Sequence, residues 1–566
     1  MIRSQNKTLR LTLISLALMV FIIAILSVGL GKFVTVDEPA WTLFASNFYL
    51  ALSRGQFEKT AIDYGVTTLW ILTLAFLSYF PEYRALGMYT EKYWRVDELL
   101  RQYHKSPLAL LLRGRLISIL ATAALIIVSF LLLNLLSGLL TALVVTGMVA
   151  LDPFFLGHAR LLNHEGLMAA GILVSMLAAL VYLYPRRQVR YLALSGAAAA
   201  VALLAKVPAI ALFPLVGLMF LVRLIEERGR ARIILRYVAG LGLWVLVVAG
   251  VYTLLWPGMW VAPGAMLYEV FGNALSNALQ GGRLVSFPGL QAENFTPEFA
   301  GIILYLKYIF LKTTPVVWLG GLLAFAGLWV KKSAPMSSIN KKLAIYFGLL
   351  AILFVLMFGL AKGRNSSHYV LTSFVALDVV AGVGLAWGYG WLAERAPVFQ
   401  KRAIQVTVLG GLLLLHGLGA LPHYPYYYTY ANPLAGALLG ESQASGVGYG
   451  EGLELAAGYL AAKPGAEEMT AISYYALGPF SYFFPGETLT LKTDDRFSPE
   501  DLQEFKEADY LVIYTVRQQP RDGSTALLTA LESIPPEKTI WLDGVKVASI
   551  YAIDQFPESL FTAISE

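Results

Sequence analysis

Long apolar runs separated by short polar stretches dominate the chain, at about 11–30, 115–137, 139–157, 166–184, 191–205, 208–225, 238–256, 315–330, 343–361, 369–392 and 403–421. About 20 helical residues cross the roughly 30 Å hydrocarbon core of a bilayer, so the pattern predicts about eleven membrane spans. Arg3, Lys7 and Arg10 precede the first run. Alternate loops downstream carry Arg186, Arg187 and Arg190, then Arg223, Arg228, Arg230, Arg232 and Arg236, then Lys331, Lys332, Lys341 and Lys342, then Arg395, Lys401 and Arg402. Basic clusters mark the cytoplasmic side, so the N-terminus is expected there. An odd number of spans then places the C-terminal segment outside.

Two segments on the outer side are long. The first, about 32–112, contains Gly65 to Phe80, apolar but only about 16 residues long, which reads as an interfacial or re-entrant helix. The second, about 257–300, is rich in Gly, Pro and Asn and reads as a loop over the outer face. After residue 421 the pattern changes to acids, turn signals and short strand-like runs such as Tyr510 to Thr515 and Val545 to Ala552. Gly452 to Ala462 reads as a short helix. The expected architecture is a polytopic α-helical membrane domain over 1–421, followed by a small external α/β domain over 422–566.

Composition agrees: of 566 residues, 57% are hydrophobic and 14% charged. Mean hydropathy is +0.63, and the charge falls between the apolar runs. The net charge of +6 is explained by topology and gives no reason to expect a nucleic-acid partner. The chain has no cysteine, which excludes disulfides and thiolate metal sites. The first run is too long for a signal peptide and lacks a small-residue cleavage site, so an anchor is expected. The whole reads as a multi-pass protein of the plasma (inner) membrane.

Polar groups near membrane depth are costly and point to function. Here they gather at the outer ends of spans: Asp37 and Glu38, Arg113 and Arg115, then Asp152, His158, Arg160, His164 and Glu165, then Lys206, Lys307, Lys312, Arg364, His368 and Tyr369. Of the histidines, His104, His158, His164, His368 and His423 fall on that face and His416 inside a helix. Bland readings exist for several: Arg113 and Arg115 suit snorkelling side chains, and Asp152 before Pro153 suits a helix cap. His158, His164 and Glu165 permit a divalent metal but match no ligand spacing. Asp37 and Glu38 are less easily explained away, because they precede Pro39 in a loop with no need of charge. Arginine holds phosphate with a bidentate fork, and a carboxylate can take the proton of an attacking hydroxyl. Acids and bases at one membrane face therefore fit glycosyl transfer from a polyprenyl phosphate.

The chain resembles the membrane-embedded GT-C glycosyltransferases of family 39, the protein O-mannosyltransferase and aminoarabinose-transferase group, especially its bacterial members. The resemblance covers most of the chain. It is carried by Asp37-Glu38-Pro39, Asn47-Phe-Tyr-Leu-Ala-Leu52, Gly65-Val-Thr-Thr-Leu-Trp70, Arg113-Gly-Arg-Leu116 and the run from Leu151 through Asp152-Pro153 to His164-Glu165. Lys362-Gly-Arg-Asn-Ser-Ser-His-Tyr369, Tyr424 to Pro433 and Gly448-Tyr-Gly-Glu-Gly-Leu453 continue it. It implies inverting transfer from an undecaprenyl- or dolichyl-phosphate sugar to a protein, lipid or glycan acceptor on the outer face. By matched position Asp37 is the expected catalytic acid–base residue, with Glu38 and Glu165 beside it in the catalytic set. Arg115, Arg160, Arg364, His368, Tyr369 and Lys312 are the expected ligands of the lipid phosphate. Glu165 stands where the family usually has Asp, and Asp63-Tyr64 precedes Gly65 where His-Pro is usual. No β-trefoil module is visible, which weighs against a protein acceptor.

The competing class is a transporter or lipid flippase. That reading calls for inverted repeats and polar breaks near the bilayer midplane. The sequence shows no clear repeat, and its polar residues sit at one face.

Overall fold

A computed structural model describes residues 2–62, 65–228, 231–280, 299–331, 334–362, 366–439, 448–492, 497–515 and 525–565. Two compact units emerge. The first comprises Met1–Val28, Asn47–Leu86 and Gly114–Leu439; the second comprises Gly29–Ser46, Gly87–Arg113 and Gly440–Glu566.

The first unit is a helical membrane body. Among the described residues eight helices are long and apolar enough to cross a bilayer, or nine if the bent pair Phe299–Lys312 and Pro315–Trp329 is taken as one broken span. The 45-residue Pro107–Leu151 helix would be about 68 Å long as one rod, twice the hydrocarbon thickness. It is interrupted at Gly138, whose φ of 82° and ψ of 171° are not helical, so it holds two crossings. With Val189–Ala205, apolar but only 17 residues, every expected span coincides with a helix. Val66–Tyr79, at 14 residues or about 21 Å, is too short to cross, as expected for an interfacial or re-entrant element.

Two details differ from the sequence pattern. The run at 139–157 does not continue unbroken: the helix stops at Leu151, Asp152 adopts an extended conformation, and its carboxylate caps a new short helix, Pro153–Ala159. A proline at the first helical position and an acid before it favour such a restart. Phe299–Lys312 is helical although the sequence pattern assigned it no span, and it meets Pro315–Trp329 at 108° across Thr313 and Thr314. Lys307 and Lys312 dilute its hydropathy. Pro315 ends the first helix and starts the second, since it has no N–H to continue a ladder.

Glu165–Leu183 lies at the centre of this body, buried almost throughout. Lipid provides little hydrophobic drive between helices, so small and polar residues tie them. Ser195 donates to the Ser175 carbonyl (2.8 Å), and the Trp244 indole donates to Ser195 Oγ (2.9 Å), linking three helices.

The second unit carries a five-stranded sheet in the order β2-β1-β3-β5-β4, with β1 at Thr470–Ser473, β2 at Glu487–Thr490, β3 at Tyr510–Tyr514, β4 at Lys538–Leu542 and β5 at Val545–Ala552. β1 runs parallel to β2 and β3; β5 runs antiparallel to β3 and β4. Alternate residues of a strand face opposite sides. Leu511 and Ile513 accordingly join Phe497, Phe505, Phe556 and Phe561 in one apolar cluster, while Val512 and Tyr514 join Leu453, Leu460 and Val547 in another. Helices cover both faces, which makes this an α/β unit.

Candidate active site

In the membrane body the polar residues converge because of how the helices run. Glu165–Leu183 and Val189–Ala205 are neighbours joined by a short turn, so the start of one adjoins the end of the other. Glu165 begins the first and Lys206 ends the second, each complementing its own helix dipole. The two form a buried ion pair. His368, in the turn Ser367–Val370, brings Nε2 to 3.9 Å from Glu165 Oε1, and its Nδ1 pairs with Ser366 Oγ at 2.7 Å. Lys206 Nζ also lies over the Tyr369 ring, 4.7 Å from its centre.

The two arginines of Arg113-Gly-Arg115 are two residues apart on a helix and so point in nearly opposite directions. Arg113 is exposed, while Arg115 is fully buried. Arg160 is buried as well, ending the Pro153–Ala159 helix. One of its nitrogens, Nη2, donates to the Val28 carbonyl, and its guanidinium lies over Tyr427, 5.0 Å from the ring centre. Its Nε and Nη1 are buried with no hydrogen-bond partner. Burial, reinforced by the charge of Arg115, pushes its pKa down to about 10, so it remains a cation at pH 7. Two buried guanidinium groups close enough for their charges to repel, one with unsatisfied donors, are suited to receiving an anion.

Histidines and tyrosines surround this site. A Cβ on Gly157 would meet the Tyr428 backbone nitrogen at 2.3 Å, so glycine lets the 153–159 helix lie directly on the Tyr427–Thr429 turn. That contact sets the His158 ring 5.4 Å from Tyr428 and 5.9 Å from His368. His164 Nδ1 pairs with Thr68 Oγ1 at 2.9 Å. Burial holds both His158 and His164 down to about 3, with the His368 charge adding to the effect on His158, so both are neutral at pH 7. Lys312 is buried, and its Nζ donates to the carbonyls of Tyr428 and Thr429, each at 3.2 Å. Arg364 lies outside the described residues.

The second unit holds the acid pair. Asp37 is exposed in a turn and Glu38 is 1% exposed at the start of Glu38–Ser53. Glu38 Oε2 accepts from both the amide and the hydroxyl of Thr35, each at 2.9 Å, which satisfies a donor ahead of the helix as a capping box does. The C-terminal motif 448–453 supports this loop. Glu451 Oε2 accepts from the amides of Gly448 and Tyr449 (2.9 Å each) and from the Tyr514 hydroxyl (2.6 Å), and the Tyr449 carbonyl accepts from the Val36 amide at 3.2 Å. Gly478 has φ of +89°, and a Cβ there would lie 2.3 Å from Pro39 Cγ. The proline that made the acid pair conspicuous therefore packs on glycine backbone from the sheet region. Glu451→Ala is expected to lower turnover about 10-fold by loosening this support, with melting shifted down by several degrees; unchanged turnover would separate the motif from the acid loop.

A cavity of about 730 Å³ also opens in this unit, lined by Trp94, Asp97, Arg101, Leu477, Ser481 and Glu487 among others. The sequence reading missed Asp97. The signal was an acid on the apolar side of Tyr93–Gln102, beside the buried Val96 and Leu100. Tyr482 Oη donates to Asp97 Oδ1 at 3.1 Å, and burial pushes the carboxyl up to about 7. The native state then keeps a proton that the unfolded chain loses above the ordinary value of 3.8. Stability should fall as pH rises between about 4 and 7, by at most about 1.4 kcal/mol per pH unit. Melting temperatures of the parent and of Asp97→Asn between pH 4 and 8 test this: the variant should show a flatter profile, and parallel profiles would refute it.

Among the described residues, three acid or histidine ligand atoms lie within 4.8 Å of one another at one place, formed by Asp152, Asp378 and His416. His158, His164 and Glu165, which the sequence permits as ligands without a matching spacing, are not among them.

No family model matches this sequence, and no curated protein matches it. In structure the chain is similar to ArnT from Cupriavidus metallidurans bound to undecaprenyl phosphate, at 15% identity over 94% of this chain and 97% of that one, with a TM-score of 0.49. The apo state of that ArnT gives 16% identity over 98% and 99%, with a TM-score of 0.46. An oligosaccharyltransferase from Archaeoglobus fulgidus gives 12% identity over 88% of this chain and 69% of that one, with a TM-score of 0.43.

Proposed function

We propose that this protein transfers a sugar from a polyprenyl phosphate to an acceptor at the outer membrane face. The observation that carries the reading is the buried Arg160 guanidinium, with two unpaired donor nitrogens and Arg115 as a like-charged neighbour. An anion is the partner that suits the two unpaired Arg160 nitrogens, and a membrane body supplies it best as a lipid phosphate. In this reading Arg115 and Arg160 hold the phosphate and stabilise charge as the bond to the sugar's anomeric carbon breaks. Glu165, paired with Lys206, orients that lysine and His368 rather than acting as a base. Lys312, bound to two backbone carbonyls, fixes the Tyr427–Thr429 turn. Asp37 takes the acceptor proton as its oxygen attacks, and Glu38 fixes the turn that presents it. The N-terminus is then cytoplasmic and the sheet unit external.

The test is release of polyprenyl phosphate when the purified protein is given a panel of labelled undecaprenyl- and dolichyl-phosphate sugars with membrane lipid, glycan and peptide acceptors. Release from one donor with matching acceptor labelling supports the reading. Binding and unchanged translocation of lipid without release would favour the flippase instead.

A further inference from the structure

The cavity bounded by Tyr93–Gln102 and the sheet edge serves neither the phosphate nor the proton step. It holds about 730 Å³, within the range of roughly 300–1,000 Å³ typical of small-molecule sites. Trp94, Asp97, Glu98 and Arg101 line it from the helix, and β2, the edge strand of the sheet, lines it from Glu487 to Thr490. Two polar atoms of the lining residues, Asp97 Oδ2 and Thr488 Oγ1, are buried without a hydrogen-bond partner. Asp97 is only 6% exposed, and its other oxygen accepts from Tyr482. Orphaned groups of this kind cost stability unless water or a ligand completes them.

The chemistry of the lining narrows the ligand. Glu91, Asp97, Glu98 and Glu487 bring carboxyl groups, against the cations of Lys92 and Arg101. Both cations are already engaged: Lys92 Nζ lies 4.8 Å from the centre of the Trp94 ring, and Arg101 Nη2 donates to the Ser481 carbonyl at 2.9 Å. An excess of acids repels phosphate and carboxylate, and an ionised carboxyl group can only accept hydrogen bonds. The fitting ligand is therefore rich in donors and free of negative charge. Aliphatic side chains are few, Leu477 and Leu489 with Ala476. Neither an acyl chain nor the side chains of a peptide laid along β2 find apolar seats there. The indole of Trp94 supplies one flat apolar surface. A sugar ring meets both demands, with a face of C–H groups and a rim of hydroxyl donors.

The cavity adjoins the acid loop. Leu477 and Ser481 line it, and between them Gly478 seats Pro39. Tyr482 donates to Asp97, and its hydroxyl pKa is pushed up by burial foremost, then by the charges of Asp97 and Glu38. Residues 477–482 thus serve the cavity on one side and the loop of Asp37 and Glu38 on the other.

We propose that this cavity is the acceptor subsite of the transferase, and that the acceptor is a glycan without acidic groups. The inference rests on the sugar-transfer reading. One sugar unit lies against Trp94 with its hydroxyls on Asp97, Glu98 and Glu487, leaving a hydroxyl of the same glycan for Asp37. That oxygen bonds to the anomeric carbon of the donor, its proton passes to Asp37, and polyprenyl phosphate leaves with the electrons of the broken bond.

The experiment measures binding to the full-length purified protein of fluorescent tetrasaccharides of glucose, mannose and N-acetylglucosamine. A galacturonic acid tetramer, a peptide rich in Ser, Thr and Lys, and labelled undecaprenyl phosphate are measured beside them. The expected result is saturable binding of at least one neutral tetrasaccharide, weakened at least about 10-fold in Trp94→Ala and about 5-fold in Glu98→Gln. Glu98 is exposed, so where Trp94→Ala does not fold, Glu98→Gln decides. No binding of a neutral tetrasaccharide, binding unchanged in the variants, or Trp94-dependent binding of the acidic tetramer or the peptide instead overturns the subsite. Undecaprenyl phosphate bound by the parent then leaves the sugar-transfer reading standing. A parent that binds a tetrasaccharide through Trp94 but neither binds undecaprenyl phosphate nor releases it from any donor sugar overturns the transfer reading, and the acceptor role with it.

Discussion

Asp37→Asn is expected to lower sugar transfer by about 10²- to 10⁴-fold, the range for loss of a positioned general base. Asparagine matches the shape of aspartate and leaves the Thr35–Glu38 contacts intact, so the loop should keep its form. The variant should retain affinity for labelled polyprenyl phosphate, because the proposed phosphate ligands belong to other residues. A fall in turnover number at unchanged donor affinity is the signature of a proton acceptor. Full activity in Asp37→Asn would remove this residue from the mechanism. Glu38→Gln should behave differently. It weakens the support of the loop without removing the base, so a smaller loss accompanied by a lower melting temperature is expected.

The second large effect concerns Arg160. Arg160→Met keeps the length and apolar stem of the side chain but removes its donors. Each charge-assisted hydrogen bond contributes about 1.5–3 kcal/mol, so loss of a bidentate contact should weaken donor binding by at least about 100-fold. Lysine should rescue little, because it offers a point charge where a planar fork is needed. Without donor, the same variant should be the more stable protein. It no longer buries unsatisfied N–H groups or repels Arg115, against the loss of the bond to Val28 and of the contact with the Tyr427 ring. A melting temperature raised by a few degrees together with weaker binding would mark a group kept for function at a cost in stability. Weaker binding with a lowered melting temperature would instead make Arg160 a structural residue.

The helical plan was legible because each span is an apolar run long enough to be counted, and because the short loops carry a one-sided basic charge. The strands 510–514 and 545–552 were legible for a similar local reason, since their residues serve opposite faces in alternation. Pairings across distance were not. Nothing local joins Glu165 to Lys206; their meeting depends on two helices packing antiparallel. Arg113 and Arg115 both suit snorkelling side chains by composition, and only helix geometry sends one out and one in. The burial of Glu38 depends on Thr35, and the support of its loop depends on residues 448–453, some 410 positions away in the chain. Asp378 was hidden within an apolar run, where one acid scarcely changes the hydropathy of a span.

The bond from Val36 to the Tyr449 carbonyl also bears on how the protein is made. The segment with Asp37 leaves the ribosome among the first residues, but the glycine-rich stretch it pairs with is made much later, after all the membrane spans. Until the sheet unit folds, the amide of Val36 lacks its partner and Pro39 lacks its seat on Gly478. An unfinished chain can therefore place its helices in the bilayer while its acid loop still lacks the contacts that hold it.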